Sequence, residues 1–392
     1  MPERRAAVIR AAAVVVALFL AWWAASGSAA RWLTALRVLD DLRQTEGESW
    51  LERSTAAPAE GRVRLGTATA GFAADVYRPA AGGSPIPMLL VPGAVARGKD
   101  DPRVAPFARM LARAGFTVVV PDLPSMRRVR VHPEQVSGLA AAHEGLCANP
   151  ELAPHGRAGI FGISYAGGIA LLVAMDPAHA GRVPWVATVG AYADLDSAAR
   201  FLATGRVFEG RRARRVTIDP YGRLVFVRTY LEFVHDLADR SILESIIERR
   251  SADPDADIGR LVDALGPEGR LVVDLFEGEG DARVSGLLAR LPAALAQRMD
   301  DLSPVRRDFS RLRARLYLVH DVDDGIFPVT ESARLARMAR GHVPVRFVRL
   351  DALQHVNVQP WRDDPWGFLT RDLPEAVELA AWWAALLRER DR

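Results

Sequence analysis

Ser164 stands in the run Arg157-Ala-Gly-Ile-Phe-Gly-Ile-Ser-Tyr-Ala-Gly-Gly168, which continues into the apolar run from Ile169 to Met175. A serine hydroxyl becomes a nucleophile when a base takes its proton and a carboxylate holds that base in the right tautomer. It must also stand clear of its own backbone. The apolar run from Ala158 to Ile163 reads as a buried strand and the run after Gly168 as a packed helix, so Ser164 falls at the turn between them. Gly162 lets the strand bend, and Ala166 and Gly167 let the helix start close to it, which leaves the hydroxyl at the strand's tip. The pattern is that of a nucleophile elbow, G-x-S-x-G, with Ala166 at its last position. An ordinary glycine-rich strand-to-helix turn is the competing reading, and a base and an acid elsewhere in the chain must separate the two.

The base must come from the chain's eight histidines. His143 lies inside a helix, His155 precedes its strand, His179 trails a helix, and His342 precedes the last core strand, hence at the wrong edge of a parallel sheet. His235 lies in a region without strand-helix alternation. Of the eight, which include His132 upstream of the serine, only His320 and His355 follow strands at the catalytic edge downstream of it. His355, in the loop Asp351-Ala-Leu-Gln-His-Val-Asn357, is free to swing toward Ser164, whereas His320 is still close to its strand and suits a structural or oxyanion-neighbouring role. The acid is expected in His320-Asp-Val-Asp-Asp-Gly-Ile-Phe-Pro328, where Asp321, Asp323 and Asp324 compete. Three neighbouring carboxylates resist ionisation unless hydrogen-bonded, so one should be a turn or capping residue. The same run lacks the register and the closing Glu of a calcium loop.

The elements around these residues alternate. Strands are expected from Arg62, at Ala73 to Pro79, Pro87 to Ala94, Phe116 to Pro124, Ala158 to Ile163, Trp185 to Val189, Ala314 to His320 and Val345 to Leu350. Helices are expected at Arg103 to Arg113, Pro133 to Cys147, Tyr165 to Met175, Val329 to Arg340 and Leu373 to Arg388. Strand-helix alternation predicts an α/β fold with a doubly wound, mostly parallel sheet. Residues 194–308 interrupt the alternation with amphipathic helix, broken at Asp219-Pro220, Asp253-Pro254 and Gly266-Pro267, and read as a helical insertion between core segments 62–193 and 309–392. Ligands of such sheets bind beyond the carboxyl ends of the strands.

At 392 residues and 49% hydrophobic, the chain can bury a large core. Its 51 basic and 48 acidic residues nearly balance, so Arg211-Arg-Ala-Arg-Arg215 reads as solvated surface and no nucleic-acid partner is expected. The lone Cys147 excludes an intrachain disulfide and a cysteine-based zinc site, and no cofactor or metal motif is present. Residues 1–30 are set apart: Arg4, Arg5 and Arg10 precede an uncharged run from Ala11 to Ala30, about the ~20 residues of a membrane helix. Trp22 and Trp23 sit toward its far end, where interfacial aromatics belong. The run exceeds the roughly 7–15 residues of a signal-peptide core, which favours an uncleaved single-pass anchor with the rest of the chain outside the cytoplasm. A cleaved signal peptide is the alternative, since Ser26 to Ala30 offer small residues for cleavage, and Arg31, Arg37 and Arg43 dilute the charge asymmetry. Residues 31–61 read as a juxtamembrane helix and linker.

From about Arg62 to Leu387 the chain resembles the α/β-hydrolases. The resemblance rests on the order Ser164, Asp324, His355 and on His320-Asp-Val-Asp-Asp324-Gly-Ile-Phe-Pro328, which is similar to the family's His-Gly-x-x-Asp-x-x-Val-Pro with Asp321 in place of glycine. It implies that Asp324 is the acid, that Pro92-Gly93-Ala94 replaces the usual His-Gly, and that the N–H groups of Ala94 and Tyr165 form an oxyanion hole. It also implies that residues 194–308 are the family's cap. The function expected is hydrolysis of a small carboxylic ester or acyl substrate through Ser164, His355 and Asp324; peptidase, lipase or thioesterase chemistry shares the scaffold. A catalytically silent, membrane-tethered binding module is the alternative of another class, favoured by Ala166 and by the missing histidine before Gly93. Apolar residues of the insertion, Phe201, Leu202, Phe208, Tyr230 and Phe233, are expected to shape the substrate pocket.

Overall fold

The computed structural model describes residues 27–44, 46–66, 71–210, 212–277, 281–351, 353–354, 357–358 and 372–392. Strands β1 (Ala59–Gly66), β2 (Gly71–Arg78), β3 (Met88–Val91), β4 (Val118–Pro121), β5 (Gly159–Ile163) and β6 (Trp185–Val189) precede the insertion. A hairpin, β7 (Arg206–Glu209) and β8 (Arg212–Arg215), lies within it, and β9 (Arg315–Asp321) and β10 (Val345–Leu350) follow. Eight of these strands form one sheet in the order β1-β2-β4-β3-β5-β6-β9-β10. β2 runs antiparallel to both of its neighbours and every later pair is parallel. Met88 to Val91 and Val118 to Pro121 are buried throughout, as continuous apolar runs must be when helices cover both faces of a parallel sheet.

One face packs the helices Glu134–Cys147, Tyr165–Met175 and Thr330–Ala339 and merges with the cap's core. The other face packs Val104–Arg113 and Leu373–Arg390. Phe161 of β5 ties the serine's strand to the C-terminal helix: its ring stacks on Trp383 at 6.4 Å and meets Trp382 edge-on at 6.4 Å. Both tryptophans are buried, and truncating a side chain of that size in a packed core costs about 3–5 kcal/mol.

Two expectations need correction. Residues 31–61 do not form a linker outside the domain: the helix Ser28–Arg43 buries Ala35 and Val38 in the cluster that holds Trp382, and β1 begins at Ala59. Leu33, Leu36, Leu39 and Leu42 recur at helical spacing but do not mark the packed face, since Leu33 and Leu36 are exposed; the partner, the helix Leu373–Arg390, is too distant in sequence to be read locally. The insertion is mostly helical, from Leu195–Thr204 to Ala293–Asp301, yet it contains the β7–β8 hairpin, whose arginines mask any alternation of apolar residues in the sequence. Val207 alone of that hairpin reaches a small cluster with Phe201 and Val216. The insertion's ends are stitched together: Val305 N–H donates to Ala193 O at 3.1 Å and the Tyr192 hydroxyl to Leu302 O at 2.8 Å.

Among the described residues no helix is long and apolar enough to cross a membrane. The uncharged run of 11–30 lies outside them except for its last residues, where Ser28 opens the Ser28–Arg43 helix.

Candidate active site

Ser164 adopts φ 55° and ψ −125°, one of two non-glycine residues with positive φ among those described, the other being Val129. Such a backbone costs about 1–3 kcal/mol and persists only where its surroundings over-determine it. Here they do. Ser164 N–H donates to Val189 O of the neighbouring strand at 2.7 Å, and its carbonyl accepts from Gly167 N–H at 2.9 Å. A Cβ on Gly162 would lie 2.6 Å from the Ala166 carbonyl oxygen and 2.8 Å from Gly167 Cα, so strand and helix could not meet this closely around any other residue. The sharp turn leaves the half-buried serine at the carboxyl edge of β5.

The loop after β3 comes to the same point. A Cβ on Gly93 would sit 3.2 Å from the Ile163 carbonyl oxygen and 3.3 Å from Ser164 Cβ, a tight approach, and 3.8 Å from the Ser164 Oγ, so the glycine lets this loop lie close over the serine. Among the described residues, the N–H groups of the adjacent Ala94 and of Tyr165 donate to no backbone carbonyl. Tyr165 is held from its other end: its hydroxyl donates to Gln135 Oε1 at 2.7 Å and its ring stacks on Tyr192 at 5.3 Å. Burial pushes the Tyr165 phenol far above its usual range, which keeps it a neutral donor.

The three aspartates separate by environment. Asp323 has a side chain 70% exposed and pairs with Arg214 of the cap hairpin at 2.6 Å. Asp321 is buried and accepts from Asp323 N–H at 2.6 Å, as a turn residue does. Asp324 is wholly buried, and its Oδ1 accepts from the N–H groups of Ile326 and Phe327 at 2.8 and 3.0 Å. Two backbone donors thus fix one carboxylate oxygen and leave Oδ2 for another partner. His320 is buried in the same corner, engaged with Ser332 and with the Phe327 carbonyl. His355 lies outside the described residues. Leu350 pairs with Asp321, so the chain leaves β10 at the edge that carries the aspartate loop.

Ser164, Gly93 and Ala94 open on a cavity of about 1460 Å³ roofed by the cap, with Leu202, Tyr221 and Phe226 among its walls. This corrects the expected lining. Phe201 is buried against the β7–β8 hairpin, Tyr230 donates its hydroxyl to Glu268 O at 2.8 Å, Phe233 sits beneath the Arg298 guanidinium, and Phe208 is exposed at the hairpin. Of the expected set only Leu202 faces the cavity. Tyr221 was not anticipated; the Asp219-Pro220 helix start marks its position in the sequence but not what it touches. Among the described residues no group of His, Cys, Asp and Glu could hold a metal ion.

The strand order, with β2 antiparallel and a serine in a strained strand-to-helix turn after β5, decides the fold. The chain has the α/β-hydrolase fold. Within this serine-hydrolase type of fold, residues 70–209 match the profile of the X-Pro dipeptidyl-peptidase (S15) family, a stretch that holds the Gly93 loop and the elbow. No curated protein sequence matches the chain. Among solved structures it is similar to the dienelactone hydrolase of Anabaena variabilis ATCC 29413, at 14% identity over 84% of this chain and 98% of that one, TM-score 0.42. It is also similar to a puromycin-hydrolyzing peptidase of Mycobacterium tuberculosis, at 14% identity over 85% of this chain but 39% of the peptidase, TM-score 0.48. A third is the hyperthermophilic esterase of Pyrobaculum calidifontis, at 13% identity over 92% of this chain and 93% of the esterase, TM-score 0.45. The hydrolase fold itself places Ser164, the Gly93 loop and the Asp324 loop at one edge of the sheet.

Proposed function

We propose that the protein is a serine hydrolase of carboxylic esters, with Ser164 as nucleophile, His355 as base and Asp324 as the carboxylate that orients it. The observation that carries this reading is the strained backbone of Ser164 beside the Gly93 loop at the floor of the capped cavity. The Ser164 Oγ attacks the ester carbonyl carbon as its proton passes to the His355 imidazole. The carbonyl oxygen becomes an oxyanion facing the N–H groups of Ala94 and Tyr165, each such donor contributing roughly 3–4 kcal/mol to the transition state. Collapse breaks the ester bond, and the alcohol leaves with the proton from the imidazolium. Water then attacks the acyl-serine by the same proton route and releases the acid. The tether belongs to the same reading: residues 11–30 hold the chain in a membrane with the catalytic domain outside the cytoplasm. Release of the full-length protein by carbonate extraction would remove the tether.

A fluorophosphonate probe tests the chemistry. Wild-type protein is expected to be labelled at Ser164, and Ser164→Ala and His355→Ala to lose both labelling and hydrolysis of p-nitrophenyl esters while remaining folded. A folded wild type that never reacts is the result of a silent binding module. The match of residues 70–209 to the S15 profile favours a second reading, a peptidase. Faster turnover of X-Pro p-nitroanilides than of p-nitrophenyl esters would select it.

A further inference from the structure

Besides the Arg214–Asp323 pair of the hairpin, one short cap segment reaches the loops on both sides of the serine. Asp219 caps the helix Pro220–Tyr230 by accepting from Tyr221 N–H at 2.9 Å, and its own N–H donates at 3.0 Å to the carbonyl of Gly325, next to Asp324. From that anchored start, the Tyr221 hydroxyl donates to the carbonyl oxygen of Ala94, 127 residues away in the sequence. The segment therefore bonds to both loops that flank the serine. Pro220 pre-sets the helical φ at the first position of the helix, so the ring of Tyr221 is delivered with little freedom.

We propose that Tyr221 is a positioning residue for the oxyanion site: by holding the Ala94 carbonyl it fixes the loop after β3 so that the Ala94 N–H faces the carbonyl under attack at Ser164. The site is then complete only while the cap helix is seated, which makes the cap part of the catalytic geometry as well as a wall for substrate. The inference rests on the serine-hydrolase reading. Two observations support it. The rest of the loop is braced by Gly98 N–H to Val95 O at 2.9 Å and by Arg127 to Ala96 O at 3.4 Å, whereas at Ala94 itself the carbonyl accepts from the Tyr221 hydroxyl, so the cap contact falls on the residue whose N–H must be aimed. Burial also raises the Tyr221 phenol above its ordinary value, so the group stays protonated and able to donate at neutral pH.

Tyr221→Phe removes the hydroxyl and keeps the ring. The kcat for a p-nitrophenyl ester is expected to fall about ten- to a hundredfold with KM nearly unchanged, the cost of a donor displaced by a fraction of an ångström to an ångström. A trifluoromethyl ketone, which binds as an oxyanion, should weaken by the same factor, and amide exchange in a peptide spanning residues 92–97 should quicken by about two- to tenfold with one hydrogen bond lost. A rise in KM with kcat preserved would overturn the proposal and leave Tyr221 a wall residue. Unchanged exchange in that peptide would overturn it as well. If wild type proves inert toward both ester and probe, the hydrolase reading falls on its own, and the exchange comparison alone then upholds or overturns the clamp.

Discussion

His320 and Asp324 share a corner closed to solvent, with His320 Nε2 3.4 Å from Asp324 Oδ2. The histidine is nonetheless committed elsewhere: Nε2 lies 2.8 Å from the Phe327 carbonyl, which can only accept, and Nδ1 lies 2.7 Å from Ser332 Oγ. That pairing assigns the proton to Nε2. His320 therefore fastens the turn that carries Asp324, with both ring nitrogens engaged there. Asp324→Asn is expected to lower kcat by about 10⁴, because an amide stabilises the wrong imidazole tautomer. Asp323→Asn should change turnover little, since it breaks only a solvent-exposed pair with Arg214. Steady-state kinetics on both variants, with circular dichroism to verify folding, decide the assignment. A larger loss from Asp323→Asn would shift the acid by one residue.

Gly162→Ala tests the elbow as a packing constraint. Its methyl would fall 2.6 Å from the Ala166 carbonyl, and relief requires the helix to move away from the strand. A destabilisation of about 1–3 kcal/mol is expected, as for other overpacked sites. Urea midpoints measure it, and the fluorophosphonate reaction rate should fall beyond what the unfolded fraction explains.

The cap residues divide into two groups by what they touch. Leu202→Ala and Phe226→Ala, which enlarge the cavity, should shift preference toward longer acyl chains across a p-nitrophenyl ester series. Phe201→Ala and Tyr230→Ala should instead destabilise, by about 3–5 kcal/mol for the buried phenylalanine, and lower activity uniformly. A change in chain-length profile from Phe201→Ala would contradict the geometry.

Glu331 sits where the insertion leaves the sheet. It is buried and accepts from Ala193 N–H at 2.8 Å, Asp194 N–H at 2.7 Å and Ser197 Oγ at 2.6 Å. Burial nevertheless outweighs these bonds and raises its carboxyl above the ordinary 4.5. For an acid raised on folding, the associated stability is fully present below the unfolded value and is lost as pH rises through the folded one. Thermal stability should therefore decline from about pH 4.5 upward through that raised value, and Glu331→Gln, which preserves an oxygen acceptor, should flatten the decline. Melting temperatures of both proteins from pH 4 to 8 check this; parallel curves would assign the pH dependence to other groups.

The elbow was legible because its requirements are local. Gly162, Ser164, Ala166 and Gly167 fall within one turn of chain, and steric exclusion there depends on those residues alone. The alternation of strands and helices was legible for the same reason, since continuous apolar runs and amphipathic periods are properties of short windows. Among the aspartates, sequence and family resemblance selected Asp324, but the contrast between its enclosure and the exposure of Asp323 is a product of packing.

What the sequence by itself determined is therefore the order of the motifs and the elements that carry them: a serine at a strand tip, an acid loop after a later strand and an insertion between. Tertiary structure alone decided which cap side chains face the cavity, that the helix Ser28–Arg43 is part of the domain, and that Tyr221 meets Ala94. Each of these joins residues far apart in the chain, where apolar character marks a side chain for burial without naming its partner. An exposed arginine-rich hairpin and a tyrosine at a helix start carry no period that points to a contact 127 residues away. The choice among partners is made by how the layers fit once the sheet has closed, because packing at that density admits one arrangement of neighbours.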